Sequence, residues 1–167
     1  MNAIVYTSET GSTKRYAMML GEELGLEVYN AQEALYVLSQ DTHIIYMGWI
    51  CASKIKGLNR FINQYDVLMI IGVGMGPSGS QLDILKKKNK INTPLYTLQG
   101  NLNRDELHGL NRIMMSIAIK GLSQKKELNK EDKEMLEVME HKRDFVQREN
   151  LQDIIHDYKK RYTLCNK

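Results

Sequence analysis

The sequence predicts an α/β fold, an open and doubly wound sheet of five parallel strands with a helical C-terminal extension. Three observations predict it. Five short apolar runs alternate with segments of helical period. Three of those runs are continuously apolar, as strands covered on both faces are. After Gly100 no strand signal recurs, and the chain reads as helices to its end.

The strands are expected at Ala3–Thr7, Leu26–Tyr29, His43–Trp49, Val67–Val73 and Pro94–Leu98. Thr13, Ala17, Leu20 and Leu24 form one helical stripe, and Leu58, Phe61, Ile62 and Tyr65 another. A third helix, roughly 80–88, ends in Lys86-Lys87-Lys88, where cations meet the negative end of the helix dipole. Asn103 can cap a helix that runs to Gly121, and a further helix is expected from about Lys130. Leu151, Ile154, Ile155, Tyr158 and Tyr162 supply the apolar face of the last one.

With 167 residues, 43% of them hydrophobic and 26% charged, the chain is expected to form a single domain over 1–167. A net charge of +3 is too mild and too mixed to argue for nucleic acid. The start has no basic segment leading into a long apolar one, and no window has the roughly 18 apolar residues of a membrane span. Cys51 and Cys165 lie far apart without paired spacing, which fits a reducing cytoplasm, the expected location.

Ser8-Glu9-Thr10-Gly11-Ser12-Thr13, directly after the first strand, is the most informative segment. One Ser or Thr before a helix is only a cap. Three hydroxyls and a glycine at a strand-to-helix turn offer N–H and O–H donors and a helix dipole to one anion. With no cation before Lys14, the loop suits a phosphate monoester held by hydrogen bonds. Ser8, Thr10 and Thr13 are expected to donate hydroxyls and Gly11 and Ser12 backbone N–H groups, with Glu9 turned to solvent.

Two further loops are expected beside it. In Gly48–Lys54, Trp49, Ile50, Cys51 and Ala52 would wall a flat amphipathic ring, although Trp49 could equally plug the core. No His lies near Cys51 in sequence, so it reads as a small buried residue rather than a nucleophile. In Gly72–Gly79, the stretch from Gly74 fits G-x-G-x-x-G, but the following strand ends in Gln99-Gly100 with no acid and Pro77 lacks an N–H. Gly74, Met75, Gly76 and Ser78 therefore suit the edge of the same ring better than a dinucleotide.

Other chemistries lack their patterns. There is no P-loop and no G-x-S-x-G elbow. His43, His108, His141 and His156 have no metal-ligand spacing, and no carboxylate pair is visible. No catalytic residue and no metal is assigned.

The [ST]-x-T-G-x-T spacing resembles the phosphate loop of the flavodoxin family. Tyr96–Leu102, Leu110–Met115 and Ile119-Lys120-Gly121 are similar to the branch containing bacterial quinone-dependent protoporphyrinogen oxidases. The interval Met75–Thr93 is shorter than the insertion those oxidases carry, so the resemblance implies the cofactor site rather than their specific reaction. It implies a flavodoxin-like sheet of order 2-1-3-4-5 and FMN as the cofactor, with all thirteen loop residues named above around it, Glu9 excepted. The partner would be a redox protein or a quinone. The alternative is a non-catalytic FMN- or anion-binding module whose helical C-terminal segment recruits a protein, and between enzyme and electron carrier the residues do not choose. The apolar residues of the helix Arg104–Leu122, flanked by Arg112, Lys120, Lys125 and Lys126, suit packing under later helices or in a homodimer better than a peripheral membrane contact.

Overall fold

The structure is a computed structural model that describes residues 2–101 and 144–163, together with positions 113, 116, 117, 120, 121, 124, 128, 130 and 133. The helices expected from Asn103 and from about Lys130, the residues proposed for membrane or dimer contact, and Cys165 depend on positions outside the described residues.

The chain runs β1 (Asn2–Thr7), α1 (Ser12–Leu24), β2 (Glu27–Asn30), α2 (Ala31–Val37), β3 (His43–Cys51), β4 (Lys54–Ile55), α3 (Leu58–Ile62), β5 (Asp66–Gly74), α4 (Leu82–Asn89) and β6 (Leu95–Gln99). After residue 143 come a 3₁₀ turn (Arg148–Leu151), α5 (Gln152–Tyr158) and one π turn (Lys159–Thr163). The strands order β2-β1-β3-β5-β6 and pair in parallel, with β4 a short antiparallel appendage of β3. Leaving β4 aside, this is the expected 2-1-3-4-5 sheet, and all five expected strands are present within a residue or two of their expected ends.

Two elements were not expected. α2 follows β2 without a loop, started by a capping box: Asn30 Oδ1 accepts the N–H groups of Gln32 and Glu33, and Glu33 accepts that of Asn30. Its Tyr36 and Val37 stay exposed, so it buries too little for an apolar stripe to announce it. β4 arises because β3 continues past Trp49 and doubles back at a two-residue turn.

Alternation along the central strands sends side chains to two cores. Ile4, Ile45, Met69 and Ile71 pack against Tyr16, Ala17 and Leu20 of α1 and against Leu151, Ile154 and Tyr158. Val5, Ile44, Tyr46 and Ile70 pack against Ala34, Leu58, Phe61 and Leu85 of α2, α3 and α4. Each fully buried Ile or Leu contributes about 1.5–3 kcal/mol over exposure. The consequence for function is topological. α1 lies on one face and α2, α3 and α4 on the other, so the chain changes faces between β1 and β3. At such a switch point a crevice opens beyond the carboxyl ends of the strands.

Candidate functional site

Thr7, Gly48, Gly72 and Thr97 stand side by side across the carboxyl-terminal rim of the sheet, each in register with the next. All three loops singled out from the sequence leave this rim.

The first loop turns into α1 at Gly11, whose φ of 83° lies in the left-handed region that a residue with a Cβ enters at a cost. Ser8 Oγ accepts the Lys14 N–H at 3.4 Å. Ser12 and Thr13 are buried, at 5% and 1% exposure, while Ser8, Thr10 and Gly11 are half-buried. Glu9 is also partly covered rather than turned wholly to solvent. The Ser12 hydroxyl accepts the Asn101 N–H at 2.9 Å, and Thr10 Oγ1 donates to the Asn101 carbonyl at 3.4 Å. The Ser12 hydroxyl also donates to the Asn101 carbonyl at 3.3 Å, so both its donor and an acceptor position are engaged with Asn101. The first N–H groups of a helix have no intrahelical acceptor, and this one opens with two buried hydroxyl residues.

The second segment is a hairpin rather than a loop. Cys51 pairs with Lys54 across Ala52 and Ser53, whose φ values of 49° and 60° make a two-residue turn of the I′ kind. Ala-Ser lacks the Asn-Gly signature of such turns, so no local pattern announces this one. Asn89, at the end of α4, braces it from below. Its Oδ1 accepts the Ile55 N–H at 3.1 Å and its Nδ2 donates to the Ser53 carbonyl at 3.0 Å. Trp49 is half-buried and belongs to neither core, so it is not a core plug; Lys56 Nζ lies 5.4 Å from its ring centroid. Cys51 is half-buried.

Tyr46 secures the base of this hairpin. Its hydroxyl lies 2.8 Å from Thr7 Oγ1 and donates to the Lys56 carbonyl at 2.7 Å. Burial pushes its pKa up to about 12, partly offset by the Thr7 hydrogen bond, so the phenol stays neutral. Gly57, at φ 80°, passes so close that a Cβ would collide with Tyr46 Oη.

The third loop folds over the end of β6. Gly79 N–H donates to the Thr97 carbonyl at 2.9 Å, and Ser78 Oγ accepts the Gln99 N–H at 3.0 Å. Gly100 N–H donates to the Gly74 carbonyl at 2.7 Å, joining this loop to the residue before Asn101. Ile50 lies over Gly72 and Gly74, within 2.9 Å and 3.2 Å of where their Cβ atoms would be. These glycines make room for the hairpin as well as for any ligand.

A cleft of about 140 Å³ opens between the second and third segments. Of the residues expected around a ring, Ile50, Ala52, Gly74, Met75 and Gly76 line it, and Trp49, Cys51 and Ser78 do not. Ser53, Ser80, Gln81, Thr97 and Leu98 complete the wall, and no acid is among them. Ser8, Thr10, Gly11, Ser12 and Thr13 lie outside the cleft and reach it through the β6 end, Gly100 and Asn101. Gln81 takes φ 61°, a left-handed conformation with no sequence signature.

Asn101, which the sequence marks only as one member of the stretch Tyr96–Leu102, ties three segments together. Its Nδ2 donates to Asp144 Oδ1 at 2.7 Å, and its Oδ1 accepts the Phe145 N–H at 2.8 Å. Arg15, one turn into α1, grips Asp144 with both terminal nitrogens at 3.0 Å and 2.7 Å. The Arg15 guanidinium, and then the Asn101 amide, hold the Asp144 carboxyl well below the usual carboxylate range. With the partners more than forty residues apart, no local pattern could reveal this node. Among the described residues no His, Cys, Asp and Glu group could hold a metal, and no helix is long and apolar enough to cross a membrane.

No known protein-family profile matches the chain, and no curated protein does. One solved structure, described as a flavodoxin from the domain Archaea, aligns with 72% of this chain and 98% of its own length, at 18% identity and a TM-score of 0.39. The case for a ligand rests on the site's own geometry.

Proposed function

We propose that this chain binds FMN at the carboxyl rim and acts as a redox protein, an oxidoreductase or an electron carrier. One observation carries the proposal. A hydroxyl-rich turn that holds no cation and bends at a left-handed glycine stands at the β1/β3 switch point, beside a cleft that the ends of β3, β5 and β6 wall with no acid among the described residues.

The donor set suits the cofactor. Ser8, Thr10 and Thr13 hydroxyls and the Gly11 and Ser12 N–H groups would hold a phosphate monoester without a point charge. Ile50, Met75 and Leu98 would shield one side of a ring from water. Backbone groups at Gly74 and Gly76 would meet the polar edge. At about 140 Å³ the cleft is smaller than the ~300 Å³ of an enclosing ligand pocket, so it suits an edge of the ring and leaves the rest accessible. When bound, the flavin supplies the electron chemistry, and the protein sets its potential and access. The acceptor or donor we infer is a redox protein or a quinone.

Reconstitution of the purified protein with FMN is the test. A yellow complex with quenched flavin fluorescence that bleaches with dithionite supports the proposal, and turnover with a soluble quinone would make it an enzyme. Protein that stays colourless after reconstitution overturns it.

A further inference from the structure

We infer that the face formed by the β3–β4 hairpin and the C-terminal half of α4 is a docking surface for an acidic protein. That this protein exchanges electrons with the chain rests on the proposed function; its acidity does not.

The charges of the described chain are segregated. Before Thr42 the sequence has six acids, Glu9, Glu22, Glu23, Glu27, Glu33 and Asp41, against the two cations Lys14 and Arg15. From Thr42 to Asn101 the balance reverses, with Asp66 and Asp83 the only acids. Asp66 pairs with His43 at the opposite rim of the sheet. Six exposed lysines sit on or beside the hairpin and the end of α4: Lys54, Lys56, Lys86, Lys87, Lys88 and Lys90. The fold brings them together through Asn89, which binds the hairpin to α4, and through Lys54 Nζ, which donates to the Lys88 carbonyl.

None of the six pairs with an acid among the described residues. The ion pairs there engage Arg15, Arg148 and Arg161 instead. Cations in the last turn of a helix are ordinary, but that benefit falls off within the turn, and Lys56 and Lys90 lie outside the helix. Unpaired like charges repel one another, so the cluster costs stability that an opposing surface would offset.

The surface borders the cleft directly. Ser53 lines the cleft and is held by Asn89, between Lys88 and Lys90. Ile84, 52% exposed, stands one turn before Lys87 and Lys88 and gives an apolar contact within the charged rim, the arrangement of a protein interface. Nucleic acid fits less well. Single strands need open aromatic platforms, and Lys56 sits over Trp49, the aromatic beside this patch. One apolar residue on an eight-residue helix is too little to insert into a bilayer.

The test measures binding of the full-length protein to a labelled plant-type [2Fe–2S] ferredoxin, an acidic redox protein, at low and high salt. Basic cytochrome c, a single-stranded RNA and phosphatidylserine vesicles run in parallel. The ferredoxin should bind in preference to all three, and more weakly as salt rises. K86E/K87E/K88E should weaken it by about tenfold or more at low salt, and K159E/K160E on the other face of the sheet should not. Because acids oppose the α4 dipole, K87Q/K90Q removes charge without adding any, and a smaller loss in the same direction is expected. Equal losses in the patch and control variants, or tighter binding of cytochrome c, RNA or vesicles, would overturn the surface. Protein that takes up FMN but ignores the ferredoxin overturns it as well. Protein that rejects FMN yet binds ferredoxin with this mutational pattern keeps the surface and loses the redox reading.

Discussion

Ser12 and Asn101, 89 positions apart, are joined at the carboxyl rim: the Ser12 hydroxyl accepts the Asn101 N–H at 2.9 Å. This bond fastens the first turn of α1 to the end of β6. Gly100 has to be a glycine here, because a Cβ would stand 2.8 Å from Val73 Cγ1 and 3.1 Å from Ser12 Cβ. Through Asn101 the same bond is coupled to Asp144 and Arg15.

Ser12→Ala should therefore cost about 1–3 kcal/mol of stability, since it leaves a partly buried N–H without its acceptor. Ser12→Thr keeps the oxygen and should lose less. Urea denaturation of the two variants measures the difference. Equal stability of Ser12→Ala and the parent would mean that water replaces the hydroxyl without penalty.

The phosphate assignment makes a separate demand. Replacing Thr10 and Thr13 together with Ala should weaken FMN binding by about 2–4 kcal/mol, at about 1.5–3 kcal/mol for each hydrogen bond to a charged group. Titration followed by flavin fluorescence reads this directly. Unchanged affinity with an intact fold would move the phosphate elsewhere.

The sheet was legible because burial on two faces leaves continuous apolar runs, and Val67–Val73 and His43–Trp49 could be little else. The turn Ser8–Thr13 was legible because hydroxyls, a glycine and a following helical stripe are local features. What stayed hidden was of two kinds. The Ala52-Ser53 turn and Gln81 take left-handed conformations that their residue types do not advertise, so tertiary support outweighs local preference there. The Asn101–Asp144–Arg15 node and the Asn89 brace pair residues far apart in sequence, which no periodicity records. α2 was partly legible, since Asn30 and Glu33 spell a capping box, but with Ala34 as its buried residue it left no stripe.

The hairpin turn predicts a gain. Ala52 and Ser53 both hold φ above zero, where Asn and Gly are preferred. Ala52→Asn with Ser53→Gly should raise stability by about 1 kcal/mol, read as a higher urea midpoint at constant slope. If the double variant is neutral or worse, contacts of the Ser53 side chain outweigh the strain.

Asp144 predicts an acid limb. Its pKa is lowered in the folded protein, chiefly by Arg15, so the unfolded chain binds a proton more readily than the folded one. The stability this contributes is complete above the unfolded value of about 3.9 and drains away as pH falls below it toward the folded value. Both partners are half-exposed, which keeps the effect small. Melting temperatures from pH 5 down to pH 2.5 should fall less steeply for Asp144→Asn than for the parent. Identical limbs would assign acid sensitivity to other carboxylates, such as Asp157, whose pKa is also lowered.

The last prediction concerns the potential of a bound flavin. Reduced flavin at neutral pH is anionic, so nearby acids oppose its formation and nearby cations favour it. No acid among the described residues lines the cleft, and Lys56 over Trp49 is a cation held beside the hairpin wall. Lys56 is exposed, so its influence is that of a screened charge, a fraction of a kcal/mol to about 1 kcal/mol. For the transfer of the second electron that is about 10–40 mV. Lys56→Gln should lower that potential by this amount, and Lys56→Glu by up to about twice as much. The parent should take up two electrons with little accumulation of a one-electron stage. Stepwise reductive titration followed by absorbance checks both expectations. A long-lived one-electron form in the parent, or a potential indifferent to residue 56, would show that the lysine lies too far from the ring to matter and would favour a single-electron carrier over a two-electron enzyme.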